Sequence, residues 1–404
     1  FMTHIQVKCL FFYLHLSNHY PFSFVLQAVT LHLIIYMEIT EKRILDALRN
    51  VDDPDLHKDI VTLGMVKNIQ IEGKKVSFTV ELTTPACPMK EEIHRACMNA
   101  VKHLVDKEAI VDINMSSRVS SVRGNNEVLL PGVKNIIAVC SGKGGVGKST
   151  VSVNLALGLS KTGAKVGIMD ADIYGPSIPL MLGLKDAKPK VVEQNGKAMM
   201  IPLEAYGLKS LSIGYLVDET QAVVWRGPMV SSALRQFVTD CIWGELDYLI
   251  IDLPPGTGDV HLTLVQTVPI TGAIIVTTPQ EVALADARKA ASMFKLPNIN
   301  VPIIGVVENM AYFTPAELPE NKYYIFGKGG GDLLAKEYMV PLLGQLPLVQ
   351  SIREGGDSGK PAILDDSNPI LQAAFDEVVT ETARFISIRN DEKAATKVVE
   401  ITRG

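Results

Sequence analysis

Residues 142–150 read GKGGVGKST, and they follow the apolar run IIAVC at 136–140 and open into the helical pattern TVSVNLALGL. The stretch satisfies G-x-x-x-x-G-K-[ST], and a strand before it with a helix after it is the context in which that spacing cradles phosphate. Glycines let the loop wrap closely enough for backbone N–H groups to face phosphate oxygens, and the helix N-terminus adds its dipole. Gly142, Lys143, Gly144, Gly145, Val146, Gly147, Lys148, Ser149 and Thr150 are therefore assigned to ATP. Lys148 is expected to reach the β- and γ-phosphates and Ser149 to hold Mg2+.

Two carboxylate segments are expected to complete the site. YLIID at 248–252 is an apolar strand ending in Asp252, the position that holds the magnesium shell in P-loop enzymes. LPPGTGD at 253–259 follows it, where a γ-phosphate sensor would stand. The other segment, DADIYGPS at 170–177, follows a second buried strand, and its alternating Asp170 and Asp172 suit metal and water, or a simple strand-end turn. Asn309, at the end of the strand IIGVV, offers a donor and an acceptor to an adenine edge, or caps a turn.

From these motifs the fold follows. Short, almost unbroken apolar runs at 136–140, 166–169, 248–251, 273–277 and 303–307 alternate with helical patterns. Strands buried on both faces belong to a mostly parallel sheet flanked by helices, with ligands at the carboxyl ends. The predicted class is α/β, a P-loop NTPase over 135–388, preceded by a small α+β domain at 37–115 and a Ser/Gly/Asn-rich linker at 116–134. In the small domain a helix begins after Met37, a hairpin spans Val66–Ile71 and Val76–Leu82, a helix runs from Pro88 to Val105, and a strand covers Ala109–Met115. Residues 389–404 read as a charged tail.

With Lys143 near its start, the loop has the form G-K-G-G-x-G-K-[ST], which resembles the deviant Walker A loop of the ParA/MinD/nitrogenase-iron-protein ATPases. In that family the corresponding lysine reaches phosphates bound by the other subunit, which implies a homodimer and a catalytic role for Lys143 beside Lys148. The resemblance also implies Asp172 on the attacking water, Asp170 in the magnesium shell and Asn309 on adenine. DADIYGPSIPLMLG, WRGPM (225–229), DLPPGTGD, VENM and IFGKGGG (325–331) are similar to the Mrp/ApbC family, and the domain carrying TTPACPMK (83–90) resembles a small iron–sulfur assembly domain often fused to it. Such a resemblance implies an ATP-hydrolysing scaffold or carrier that delivers iron–sulfur clusters to apo-proteins, working with assembly factors. A different class remains open, a nucleotide switch that acts on a protein partner without a cluster, as does a client-binding chaperone that uses ATP without touching iron.

One departure bears on the cargo. Many members of that family carry C-x-x-C after the asparagine segment, bridging a [4Fe–4S] cluster between subunits, whereas residues 310–331 here hold no cysteine. Thiolates are the expected ligands of such a cluster. Cys87, between prolines near a predicted helix start, is the remaining candidate ligand, against the reading of an inert loop residue. Cys97, Cys140 and Cys241 read as small core residues.

Bulk properties narrow the class further. The 404 residues are 47% hydrophobic and 21% charged, the balance of a folded chain with more than one core. A net charge of −5 offers no global attraction for nucleic acid or anionic membrane. Five scattered cysteines do not make a disulfide framework, so a cytoplasmic location is expected. Residues 1–36, rich in Phe, Tyr, His and Leu, have an apolar stretch of about half the ~20 residues a spanning helix needs. They are expected to be upstream extension, with the native chain starting at Met37.

Overall fold

The computed structural model describes residues 38–121, 129–194, 196–217, 227–297, 299–315, 317–318 and 320–392. Residues 1–37, which include the stretch expected to be an upstream extension, Trp225 with Arg226, and the residues beyond Glu392 lie outside them. Two compact units divide the chain, one built from residues up to Glu81 together with Met89–Ser116, the other from Leu82–Pro88 together with Ser117 onward.

The smaller unit starts with α1 (Glu41–Leu48), whose N-cap Thr40 accepts from the Arg43 amide and which buries Ile44, Ala47 and Leu48. β1 (Val66–Glu72) and β2 (Lys75–Leu82) pair antiparallel, and with β3 (Ile110–Ser117) they form a three-stranded sheet in the order β1-β2-β3. β2 alternates strictly, burying Val76, Phe78, Val80 and Leu82, as a strand with one solvated face should. Between β2 and β3 runs α2 (Lys90–Leu104), which packs on α1 and buries Ile93, Cys97 and Val101.

This helix begins two residues later than the sequence pattern implies. Its N-cap is Met89, so Cys87 lies outside its first turn. The segment 82–88 is held instead by the larger unit: the Thr83 carbonyl accepts from the Ser120 amide and the Ser387 hydroxyl, and Ala86 packs against that unit's core.

In the larger unit the strands β4 (Val133–Cys140), β5 (Val166–Asp170), β8 (Leu203–Ala205), β9 (Leu208–Ser212), β10 (Leu246–Asp252), β11 (Gly272–Thr277), β12 (Ile303–Glu308) and β13 (Leu342–Gln345) form one eight-stranded sheet. Its order is β8-β9-β5-β10-β4-β11-β12-β13, and every pairing is parallel except β8 with β9. A separate hairpin, β6 (Val191–Gln194) with β7 (Lys197–Met200), stands apart from the sheet.

Successive residues of β4 enter two different cores. Ile136, Ala138 and Cys140 face the one shared with α5 (Gly227–Thr239), α6 (Asp259–Thr267) and α7 (Glu281–Lys295). Ile137 and Val139 face the one shared with α3 (Lys148–Lys161) and α10 (Pro369–Glu392). A strand with a helical layer on each side has no solvated face, which explains the continuous apolar runs. The remaining helices are the short α4 (Ile178–Met181), α8 (Gly330–Tyr338) and α9 (Gln350–Asp357).

Two expected boundaries move. α10 continues to Glu392, four residues into the stretch read as tail, because Asn390 is buried and its amide bonds to Asn135 Oδ1 at 2.9 Å. The linker reading loses both ends, since Ser117 belongs to β3, Val133 belongs to β4, and Val119 and Leu130 are buried. Among the described residues no helix is long and apolar enough to cross a membrane.

Candidate active site

The loop 142–150 leaves the carboxyl end of β4 and enters α3 at Lys148, with Gly147 as N-cap. Gly145 and Gly147 have φ of +84° and +83°, which side chains resist. At Gly142 the constraint is space: a Cβ there would lie 2.0 Å from the Asp286 carbonyl carbon on α7. The glycines are thus required by the backbone path itself.

Three strand ends converge on the loop. Asp252 closes β10 and is buried; its Oδ2 accepts from Ser149 Oγ at 2.6 Å and lies 2.8 Å from Lys148 Nζ. Its Oδ1 accepts from Ser152 Oγ, also at 2.6 Å. Asp170 closes the adjacent β5 and is the register partner of Asp252. It accepts from Ser212 Oγ at 2.9 Å and from the Asp172 amide at 3.1 Å. Burial first, and the neighbouring Asp252 charge second, push the Asp170 carboxyl up to about 8. Asp172, just beyond the strand, reaches Lys148 Nζ at 3.8 Å, and burial raises its pKa against the opposing pull of that ammonium.

Asn309 follows β12 and donates its side-chain amide to the Val146 carbonyl at 2.8 Å, so it clamps the phosphate loop. Beside it the buried Glu308 accepts from the Gly331 amide at the start of α8, and Gln345 Nε2 bonds its other oxygen. A Cβ on Gly331 would come within 2.6 Å of Glu308 Cβ. The VENM and IFGKGGG stretches are therefore two halves of one junction. The loop LPPGTGD is tied to the strand that feeds the phosphate loop, through the Gly256 amide and the Ser141 carbonyl at 2.9 Å.

Lys148, Ser149, Asp170, Asp172, Asp252 and Asn309 meet here, whereas the side chains of Lys143, Thr150 and Cys87 do not. Lys143 is exposed, although Ser141 Oγ donates to its carbonyl and fixes the backbone. Thr150 sits in the first turn of α3, its carbonyl taking the Asn154 amide. Cys87 is half-buried, and its neighbour Thr84 bonds Tyr248, four residues or roughly 13 Å along β10 from Asp252. Burial raises Cys97 and Cys241 to about 12 and lifts Cys140 further, as suits core thiols. Sequence reading missed Ser152 and Ser212. Ser152 carried a signal, since it stands three residues after Ser149 on the same helix face.

A family model described as the NUBPL iron-transfer P-loop NTPase matches residues 132–383. The chain belongs to this family. A second model, an iron–sulfur cluster assembly protein, matches residues 41–113. The iron-sulfur cluster carrier protein of Synechocystis sp. is 47% identical over 351 residues, covering 87% of this chain and 99% of that protein. Its counterpart in Escherichia coli is 42% identical over 339 residues, covering 83% and 89%. Among solved structures, the nucleotide-binding protein from Archaeoglobus fulgidus in complex with ADP is 38% identical with a TM-score of 0.52, over 61% of this chain and 93% of that one. The α/β P-loop NTPase class and the family resemblance read from the sequence both hold. Family membership leaves the cargo question in the 310–331 interval, where Phe313 and Tyr323 exchange backbone hydrogen bonds and Leu318, Tyr323, Tyr324 and Ile325 are exposed.

Proposed function

We propose that the chain is an ATP-hydrolysing carrier that delivers iron–sulfur clusters to apo-proteins in the cytoplasm, its nucleotide state coupled to rearrangement of a homodimer. The observation that carries the ATP half is the convergence of Lys148, Ser149, Asp172 and Asp252 within hydrogen-bonding or ion-pair distance at the carboxyl ends of adjacent strands. The carrier half rests on the likeness to relatives named as cluster carriers along most of the chain.

The residues fit magnesium. Ser149 Oγ and the Asp252 carboxylate are hard oxygen donors held side by side, with Asp170 behind them, and hard donors suit Mg2+. When bound, the ion supplies charge neutralisation at the phosphates. The protein's own groups do the rest. Backbone amides of 142–149 hold the β- and γ-phosphates, and Lys148 moves from Asp252 toward them as a counter-charge. Asp172 accepts a hydrogen bond from the attacking water; an oxygen–phosphorus bond forms at the γ-phosphorus, the bond to the β–γ bridging oxygen breaks, one hydrogen of the water stays on the new phosphate as its hydroxyl, the other is released to solvent, and ADP and hydrogen phosphate leave. Asn309 acts on the same loop through Val146, and its contact with adenine is part of this proposal.

The cluster is cargo, and Cys87 is the proposed contributor of a thiolate, one from each subunit. The test is anaerobic iron–sulfur reconstitution of wild type beside Cys87→Ser, reading absorbance near ~400 nm, bound iron and transfer to an apo-protein. Transferable iron in wild type that falls in the variant supports the reading. Wild type that hydrolyses ATP yet takes up no iron overturns it and favours the nucleotide switch, for which the exposed apolar side chains of 318–325 would meet a protein partner.

A further inference from the structure

At the amino ends of β4, β5 and β10, the end of the sheet away from the phosphate loop, a cavity of about 270 Å³ opens in the larger unit. Its charged lining is Arg118, Lys134, Lys165, Glu245 and Asp247. Six residues of β4, at about 3.3 Å each, run from Lys134 to Cys140, where the phosphate loop departs, so roughly 20 Å of strand separates this cavity from the nucleotide site.

Asp247 is engaged within the wall itself: its Oδ1 accepts from Lys134 Nζ at 2.6 Å and its Oδ2 from the Lys165 amide at 2.8 Å. Arg118 and Lys165 differ. Their backbones are fixed, the Arg118 amide donating to the Leu82 carbonyl at 2.8 Å and the Lys165 carbonyl accepting from the Asp247 amide at 2.7 Å. Their side chains are exposed, and neither makes a hydrogen bond or an ion pair among the described residues. The other carboxylate, Glu245, has its Oε1 3.0 Å from where a Cβ on Gly132 would stand, and Gly132 is not part of the lining. Two cations on fixed backbone therefore border the cavity unpaired, on a chain whose net charge is −5.

We propose that this cavity docks an acidic, extended segment of a partner protein, one carboxylate of which meets Arg118 and Lys165. The guanidinium fork matches a planar carboxylate, and the ammonium adds a second donor. A free phosphate or sulfate would have the charges alone to hold it, and three cations against two carboxylates leave the lining a net charge of only +1. A peptide segment gains the apolar walls as well, which are made by Pro85, Val119, Ala164 and Leu246. Apolar contact around a charged pair excludes water and strengthens it. Pro85 is two residues, at most about 7 Å of chain, from Cys87, so a partner docked here lies beside that thiol. The inference goes beyond the carrier reading and stands without it, since docking calls for neither ATP nor iron.

The test is fluorescence anisotropy of the full chain with a fluorescein-labelled peptide alternating glutamate with leucine, beside one alternating lysine with leucine. It is run at about 0.01 M and 0.15 M ionic strength, where screening acts over about 30 Å and 8 Å. The acidic peptide should bind and the basic one should not, with affinity falling as salt rises. Arg118→Glu and Lys165→Glu should each weaken binding about fivefold or more, the double reversal should abolish it, and Glu245→Gln should tighten it. ADP affinity and thermal unfolding should stay at wild-type values in all four, because these side chains are exposed and stand at the far end of the sheet. Equal affinity of wild type and the double reversal overturns the proposal, as does wild type that binds neither peptide or binds both alike. Inorganic phosphate that binds more tightly than the acidic peptide overturns it in favour of a small-anion site. Wild type that takes up no iron yet binds the acidic peptide through Arg118 and Lys165 overturns the carrier reading alone.

Discussion

Lys148 Nζ stands 2.8 Å from Asp252 Oδ2, with both side chains buried, so the cation proposed to meet phosphate is held by the carboxylate proposed to meet magnesium. Removing one partner of a buried pair strands the other charge and costs about 3–5 kcal/mol. Lys148→Ala should therefore lose hydrolysis and, in denaturant unfolding without nucleotide, lose stability on that scale. The double variant Lys148→Ala/Asp252→Asn should regain much of the stability and none of the activity. Equal stability of the single variant and wild type would mean that the pair is not the store of charge described.

Ser152 makes a different kind of contribution. Its single hydroxyl hydrogen goes to Asp252 Oδ1 at 2.6 Å, the shorter contact, with its own turn's Lys148 carbonyl 3.0 Å away, and so the serine orients the carboxylate from behind. A hydrogen bond to a charged group is worth about 1.5–3 kcal/mol, so Ser152→Ala should weaken the magnesium dependence of hydrolysis by about tenfold or more. Titrating Mg2+ at saturating ATP checks this. An unchanged midpoint would assign the serine to helix packing alone.

Much of this site was legible in the sequence because its central residues sit in motifs whose spacing has a fixed geometric meaning. Lys148, Ser149, Asp170, Asp172 and Asp252 all lie at strand ends or in the loop that strand β4 feeds, as the alternation of apolar runs implied. What was not legible depends on distance along the chain. The Asn309 bond to Val146 spans 163 residues, and the side-by-side placement of Asp170 and Asp252 follows from strand order, which local pattern does not specify. The strands that escaped, β8, β9 and β13, are short and lie toward the sheet's edges. LKSLS and LLGQ carry polar residues that break the apolar run; in β9 the buried Ser210 bonds Tyr215 just beyond the strand, and Ser212 bonds the nearby Gly214 amide and the distant Asp170.

Asp170 makes the site sensitive to pH. Its carboxyl is raised from 3.8 to about 8, so between those values the folded chain binds a proton that the unfolded chain does not. Stability from this group is therefore greatest at acid pH and falls as pH rises toward 8. Asp172 shares the sign, while His261, whose pKa is lowered, acts oppositely below about 6.5, so the comparison must be made against a variant. In magnesium-free, nucleotide-free buffer, wild type minus Asp170→Asn should show a melting-temperature difference that moves in favour of the variant from pH 5 to pH 8. A difference independent of pH would mean that Asp170 stays ionised throughout.

Lys143 tests the dimer. Its carbonyl is fixed by Ser141 Oγ at 3.0 Å while its side chain is exposed, so Lys143→Ala leaves the loop backbone as it is. If the side chain served phosphates in its own subunit, ADP affinity would fall with hydrolysis. If it serves the phosphates of a second copy, ADP affinity should stay within about twofold, whereas hydrolysis should drop by tenfold or more and cease to rise with protein concentration. Specific activity measured across a dilution series, alongside the sedimentation of the ATP-loaded chain, separates the two. Hydrolysis that is concentration-independent in wild type and unaffected by the substitution would place the whole reaction within one subunit.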